Sequence, residues 1–332
     1  MDPISQGALG ACASQAFADK SKIFIAAALG FLSGMAPDLD VLIASTDDPL
    51  LFLEYHRQFT HSLLFIPIGG LICSLFFHHL FAHRQLSFRL TYTFCTLGYA
   101  THGLLDSCTS YGTQLLWPFS TMRIAWHNIS IIDPFFTLPI LCLIMWAVVS
   151  KRRTLAHFAC AWALSYLCLG AVQRERAEAL GHALAVERTH TPLRLHAKPS
   201  LGNLLLWKIV YETEDRFYVD AVRILATSSI YTGDSVPKLD TQKDFPWLSN
   251  DAFQANDINR FAWFSNGYLS KDPERPNTII DMRYSIVPNS IDPLWGIQLD
   301  PQRTASEHAD FVSMRQSTTN HRVRFIAMLR GN

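Results

Sequence analysis

Up to about residue 172 the chain alternates long apolar runs with short polar clusters; after residue 190 the runs become short. Residues 1–19 are mostly small, with Gln6 the one distinctive polar side chain, and predict a short helix. The apolar segment after Lys20 and Lys22, IFIAAALGFLSGMA, is shorter than the roughly 20 residues a membrane crossing needs. Extended back through Ser21 and on into PDLDVLIA, it crosses with a polar end. LLFIPIGGLICSLFFHHLFAH is a spanning candidate that ends in His78, His79, His83 and Arg84. Residues 90–106 predict a less hydrophobic helix, and 134–149 and 155–172 two further spans. The last runs on into the charged, helical QRERAEALGHALAVER. Asp133 before Pro134 reads as a helix N-cap followed by proline at the first helical position.

The pattern beyond residue 190 is of β type. LLLWKIVYETEDRFYVDAVRIL predicts a hairpin turning at Glu212–Arg216, and FAWFSNGYLS, TIIDMRYSIV and RVRFIAML read as further strands. The expected fold class is mainly α: a polytopic helical membrane domain over 1–186. A smaller, soluble α+β or mainly β C-terminal domain follows over 187–332.

Composition sharpens this reading. Of 332 residues, 49% are hydrophobic and only 17% charged, low in charge for a soluble protein. Most of the charge follows residue 172. The formal net charge is zero, so no overall field points to nucleic acid as a partner. The seven cysteines all lie in the apolar half without a CxxC pair, and read as small buried hydrophobes. The N-terminus has neither the basic start nor the cleavage site of a signal peptide, so it is expected to be retained.

Basic residues orient the helices. Lys20, Lys22, Arg84, Arg89 and Lys151–Arg153 fall on one side, and only Arg57 and Arg123 in the short loops of the other, seven against two. The positive-inside rule makes the first side cytoplasmic. The loops 37–61 and 107–133 and the C-terminal domain are then expected outside. Tyr111, Trp117, Phe119 and Trp126 in the second loop suit the membrane interface.

Three polar clusters share that outer side: Asp38 and Asp40, His56 and His61, and His102 and Asp106. The last two lie four residues apart, on one face of a helix if it is regular to Ser107. An imidazole and a carboxylate placed in apolar surroundings need partners. Histidine with carboxylate suits zinc, manganese or iron. A bound divalent ion lowers the pKa of its water from about 15.7 to about 7, a usual device for phosphoester cleavage. Asp38 or Asp40 could bridge metals or act as general base, and Arg57 could hold an anionic substrate. His78, His79 and His83 lie on the opposite side and read as interfacial.

PDLD, then YHRQFTHSLLF, ATHGLLDSCTSYGTQLLWPFS and IIDPFFTLP, together with the opening MDPISQGALGA, resemble the YdjM/YbcI-type family of bacterial membrane-bound proteins, regarded as metal-dependent hydrolases. The resemblance covers roughly residues 1–150, and GNLLLWKIVYE resembles the extension of the longer members. It implies an inner-membrane helical domain whose metal site is formed by Asp38, Asp40, His56, His61, His102 and Asp106. Many relatives have histidine where this chain has Gln6; glutamine is a poor zinc ligand but could bond a bound water or substrate. The order of these residues is also similar to the helical zinc phospholipase C and P1 nuclease group, which suggests a phosphoester or phospholipid substrate. The expectation is therefore a multi-pass inner-membrane hydrolase using a divalent metal, zinc first and manganese or iron next, in contact with membrane lipids. The alternative is a non-catalytic membrane protein, an ion or proton pathway or an envelope-binding factor, with a structural His/Asp cluster. A pathway would stagger its polar groups across the membrane, whereas these gather at one end.

Overall fold

A computed structural model describes residues 1–332. The chain forms two compact units, one of Met1–Leu42, Tyr55–Val172 and Leu201–Leu204, the other of Ile43–Glu54, Gln173–Ser200 and Leu205–Asn332.

The first unit is a helical bundle. Helix α1 is Pro3–Ala16 and α2 is Ile23–Met35; a 3-10 segment, Ala36–Leu42, follows. Pro37 cannot donate a backbone hydrogen bond, which fits the change from α to tighter geometry at this point. Helix α3 is Leu51–Tyr55, and after two short 3-10 turns α4 is Ile66–Phe77, which passes into a wider π-type turn at His78–Ala82. Helix α5 is Phe88–Ser107, α6 is Pro134–Ser150 and α7 is Thr154–Glu187. Asp133 caps α6 as expected, accepting the Phe135 and Phe136 amides.

Three stretches are long and apolar enough to cross a membrane: Ile23–Leu42, Leu63–Ala82 and Thr154–Glu187, with Pro134–Ser150 apolar but shorter. Their outward faces carry Leu71, Ile72, Leu75 and Phe76 on α4 and Leu138, Met145, Trp146 and Val149 on α6, all exposed. Such a belt suits acyl chains as solvent, because the helices already satisfy their own backbone groups. Inside, Ile25, Ala26 and Leu29 of α2 pack with Cys73 of α4 and Phe94, Cys95 and Tyr99 of α5. The cysteine expectation holds in part. All seven are free, and Cys12, Cys73, Cys95 and Cys108 are buried, but Cys142 and Cys168 are exposed.

Two glycines of α5 set the close approaches that build the site. A Cβ on Gly98 would fall 2.4 Å from the Gly30 carbonyl oxygen, so α5 lies backbone to backbone against α2. A Cβ on Gly103 would fall 2.2 Å from the His61 carbonyl oxygen, so the loop carrying His61 rests directly on α5.

The second unit holds the C-terminal half of α7 and two antiparallel sheets. Strands β1 (Arg194–Pro199), β2 (Leu206–Glu212), β3 (Arg216–Ile224) and β4 (Ser228–Tyr231) are ordered β1-β2-β3-β4, with β5 (Ser235–Pro237) also on β3. The expected hairpin is β2–β3, with Glu212 opposite Phe217. Helices α8 (Thr241–Asp244) and α9 (Phe253–Phe264) precede the second sheet, β6 (Leu269–Lys271), β7 (Thr278–Asp281), β8 (Trp295–Gln298) and β9 (Asp310–Ser313), paired in that order. Helix α10, Thr319–Arg330, ends the chain. Val210, Phe217 and Val219 of the first sheet meet Tyr268, Ile280 and Met282 in the core.

Two of the expected strands are helical. RVRFIAML lies in α10, where Thr318 and His321 form a reciprocal capping box and Met328 packs onto Leu206, Ala221 and Val287. The FAWF of FAWFSNGYLS closes α9, and only Leu269–Lys271 pairs as a strand. Short apolar runs fit either period, and here capping and packing decide.

Candidate metal centre

The site is built where the C-terminal end of α2, the loop before α4, the C-terminal end of α5 and the start of α1 meet. Asp38 projects from the 3-10 segment, His61 from the short turn Phe59–His61, and His102 and Asp106 from the last turns of α5. His61, His102 and Asp106 are buried. One ligand atom from each of these four side chains lies within 4.8 Å of every other.

Hydrogen bonds engage Nδ1 of both histidines. His102 Nδ1 is 2.6 Å from the Gly34 carbonyl oxygen, which can only accept, so Nδ1 carries a proton and Nε2 is the nitrogen turned to the site. Thr60 Oγ1 gives its proton to Asp40 Oδ2 at 2.8 Å, and so accepts from His61 Nδ1 at 2.9 Å. His61 Nε2 is left facing the same point. The two Nε2 atoms are 2.9 Å apart.

Both carboxylates close on the same point. Asp38 Oδ1 lies 3.3 Å from His102 Nε2 and 3.5 Å from His61 Nε2. Asp106 Oδ2 lies 3.3 Å from His61 Nε2 and 3.9 Å from His102 Nε2. Two imidazole nitrogens and two carboxylate oxygens thus converge on one point, with the Arg57 guanidinium beside Asp106. Tetrahedral ligands at about 2.0–2.1 Å from zinc are about 3.3 Å apart, close to these separations. The donor set therefore fits a divalent metal.

Asp40 and His56 stand beside this cluster. With Asp38 they form a second group of potential ligands. Asp40 Oδ1 is 2.7 Å from His56 Nδ1, and Oδ2 accepts the Arg57 amide at 3.0 Å as well as the Thr60 hydroxyl. One carboxylate thus ties down three consecutive features of the loop. Carboxylate partners of this kind orient metal-binding imidazoles.

Arg57 is buried, with a positive φ of 67°. The left-handed conformation is uncommon for a side chain of this size and is held by the Asp40 bond to its amide. Its Nε lies 3.0 Å from Asp106 Oδ2, and Nη1 donates to Thr109 Oγ1 at 3.1 Å. Gln6 Nε2 donates to Asp106 Oδ1 at 2.8 Å, while its buried Oε1 has no hydrogen-bond partner. The α-amino group of Met1 also pairs with Asp106 Oδ1. All eight sequence-derived site residues are therefore brought together, with four forming the tight core. Sequence reading missed Thr60, Thr109, the Gly34 carbonyl and the Met1 amine. Gly103, beside His102 in the motif, was the one available signal for the approach of the His61 loop.

A third group, Asp48, Asp257 and His308, lies in the second unit. Arg260 donates to both Asp48 and Asp257, and His308 and the Ala309 amide bond Asp257. Those carboxylates already have a cation among them, and the cluster reads as an anchor for residues 43–54.

With the geometry described, comparison with known proteins is informative. The family model described as YdjM inner membrane protein matches residues 1–177, more than half of the chain. The chain belongs to the YdjM family of inner membrane proteins. The inner membrane protein YbcI of Escherichia coli (strain K12) is 33% identical over 96 residues, 28% of this chain and 54% of YbcI. The uncharacterized protein YfhP of Bacillus subtilis (strain 168) is 30% identical over 100 residues, 30% of either chain. The matched segments thus span 30% of YfhP and about half of YbcI. No solved structure matches. Membership in the YdjM family accords with the apolar helices: this is a multi-pass inner membrane protein.

Proposed function

We infer that this YdjM-family protein is a metal-dependent hydrolase that cleaves a phosphoester, the substrate being a phospholipid or another lipid-linked compound. The observation that carries the reading is the pair of Nε2 atoms of His61 and His102, 2.9 Å apart and flanked by Asp38 and Asp106. Those four residues would hold the ion, zinc by the donor set and manganese or iron as the next candidates. A bound ion would supply Lewis acidity and an activated water at neutral pH.

The remaining side chains have definite tasks. Asp40 keeps His61 turned inward through Thr60 and holds the Arg57 backbone. The Arg57 guanidinium is placed to receive a phosphate oxygen in exchange for part of its contact with Asp106. His56, partly exposed and bonded to Asp40, is positioned to pass a proton between the site and solvent. The side chain of Asp38 is partly exposed while those of its three partners are buried, so substrate and water would enter past Asp38. The positive-inside rule, applied to the basic residues at the opposite helix ends, supports an opening on the extracytoplasmic side.

The test is elemental analysis of protein purified in detergent, paired with a phosphoester and phospholipid panel. The expected result is stoichiometric transition metal and turnover that both disappear in His102→Ala. Wild-type protein that neither carries nor takes up a divalent ion would sink the reading. Metal without turnover would reduce it to a structural site.

A further inference from the structure

The second unit contains a concentration of buried positive charge that the metal centre does not use. Arg194, His196 and Lys198 alternate along β1 and so share one face of the sheet. On β2, Lys208 is directly opposite Lys198, and Glu212 directly opposite Arg194. Like charges facing each other across a sheet are unfavourable, more so when both are buried, as Lys198 and Lys208 are. Burial, with the positive charges of Lys198, Arg194, Arg174 and Arg283, pushes the His196 imidazole down to about 4.

Of the neighbouring acids, Glu178 accepts the Ala197 amide at 3.3 Å, and two others are paired with cations. Asp281 is held by Arg283 Nε and Nη2 and also accepts from Trp295 Nε1 at 3.3 Å. Glu212 is paired with Arg194 and Lys238. Lys208 Nζ has its own acceptors, Ser285 Oγ at 2.7 Å and the Ser290 carbonyl at 2.9 Å. Lys198 has none. It is 4% exposed, and its Nζ meets only the face of Tyr284, 5.0 Å from the ring centroid. Arg283 Cζ lies 5.1 Å from the same ring. Tyr268, 1% exposed and edge-on to His196, has a buried hydroxyl without a hydrogen-bond partner.

We propose that the C-terminal unit binds a small oxyanion of the phosphate class, with Lys198 as its principal donor and the Tyr268 hydroxyl, across His196, as the second. A phosphate group, free or at the end of a larger molecule, supplies the acceptors that Lys198 and Tyr268 lack. Its negative charge would also favour the protonated form of Lys198, which burial opposes. Arg283 and Arg194 contribute charge while remaining paired with their own carboxylates. The inference stands apart from the reading of the metal centre, because no residue is shared.

The test is calorimetric titration of the full-length protein in detergent with inorganic phosphate and, separately, with glycerol 1-phosphate. It is run on chelator-treated protein carrying Arg57→Gly, so that phosphate at the metal centre does not contribute. One binding site is expected. Lys198→Met should weaken it about tenfold or more, Tyr268→Phe less, and Lys198→Arg should retain most of the affinity. Circular dichroism confirms that each variant is folded; Lys198→Met removes a buried charge and should not unfold the unit. Equal affinity for the two ligands would point to free phosphate as the occupant, and a preference for the ester to a larger molecule. No binding in the Arg57→Gly protein, or unchanged binding in Lys198→Met, would overturn the proposal and leave Lys198 as a neutral amine buried for packing.

Discussion

His61 Nε2 and His102 Nε2 face each other at 2.9 Å, a separation at which at most one of them carries a proton. His102 Nδ1 donates to the Gly34 carbonyl and His61 Nδ1 to Thr60. That relationship sets two imidazole nitrogens close enough to share one cation, and most of the expected behaviour follows from it.

Removing a core donor should remove the metal. His102→Ala, His61→Ala, Asp38→Ala and Asp106→Ala are each expected to insert in the membrane yet lose stoichiometric metal on purification. In wild-type protein, chelation should lower the thermal unfolding midpoint of the helical unit, since an ion bound only to the folded state stabilises it by mass action. Elemental analysis and thermal scans with and without chelator check both.

Asp40→Asn keeps the size of the side chain but weakens its acceptor role toward Thr60, His56 and the Arg57 amide. Metal affinity should fall by about 10–100-fold, as for other partners that orient metal-binding imidazoles. Competition with a chromophoric chelator measures it. An affinity equal to wild type would show that Asp40 does not orient His61.

Arg57→Gly separates backbone from side chain. Glycine adopts the left-handed conformation at 57 without steric cost, so fold and metal content should be retained. Loss of the guanidinium should raise KM for an anionic phosphoester and lower kcat/KM. Kinetics on metal-loaded protein distinguish this from loss of metal.

Gly98→Ala tests the helix contact that carries the site. The new methyl group would sit 2.4 Å from the Gly30 carbonyl oxygen and force α5 away from α2, stretching the bond between His102 and Gly34. The expected cost is about 1–3 kcal/mol, typical of overpacking, together with weaker metal retention. Denaturant or thermal unfolding and elemental analysis report the two effects independently.

In the second unit, burial pushes the Lys208 ammonium down to about 7. The unfolded chain keeps that proton to about 10.4, so between these values the unfolded state binds more protons and stability rises with pH. Below pH 7 both states are charged and the full penalty of burying the ammonium is present. Lys208→Met should flatten the rise between about pH 7 and 10. Thermal unfolding of the full-length protein across that range, followed by the β-sheet signal, measures it.

Much of the helical unit could be read from order and period. Asp133-Pro134 starts α6 where its cap predicts, and the spacing of His102 and Asp106 places both on one face of α5. The eight site residues were legible because polar groups in an apolar stretch need a reason, and the helix directions bring them to one end. Less legible were the short apolar runs after residue 250. RVRFIAML has enough β-branched and aromatic residues to suit a strand, but it becomes α10 once Thr318 caps it and Met328 finds the sheet.

The sequence by itself determined which residues could bind a metal, which helices are apolar, and the change from helical to β-type patterning, because these are properties of residue type and local spacing. Tertiary structure alone decided the division of labour within the site. Asp38, His61, His102 and Asp106 converge while Asp40 turns to hold the loop, because Gly98 and Gly103 let backbones approach so closely that carbonyl and hydroxyl partners select the tautomers. It alone also decided that Lys198 is a buried amine without a hydrogen-bond acceptor. Strand register sets it opposite Lys208, and the nearby acids are taken up by partners distant in the chain.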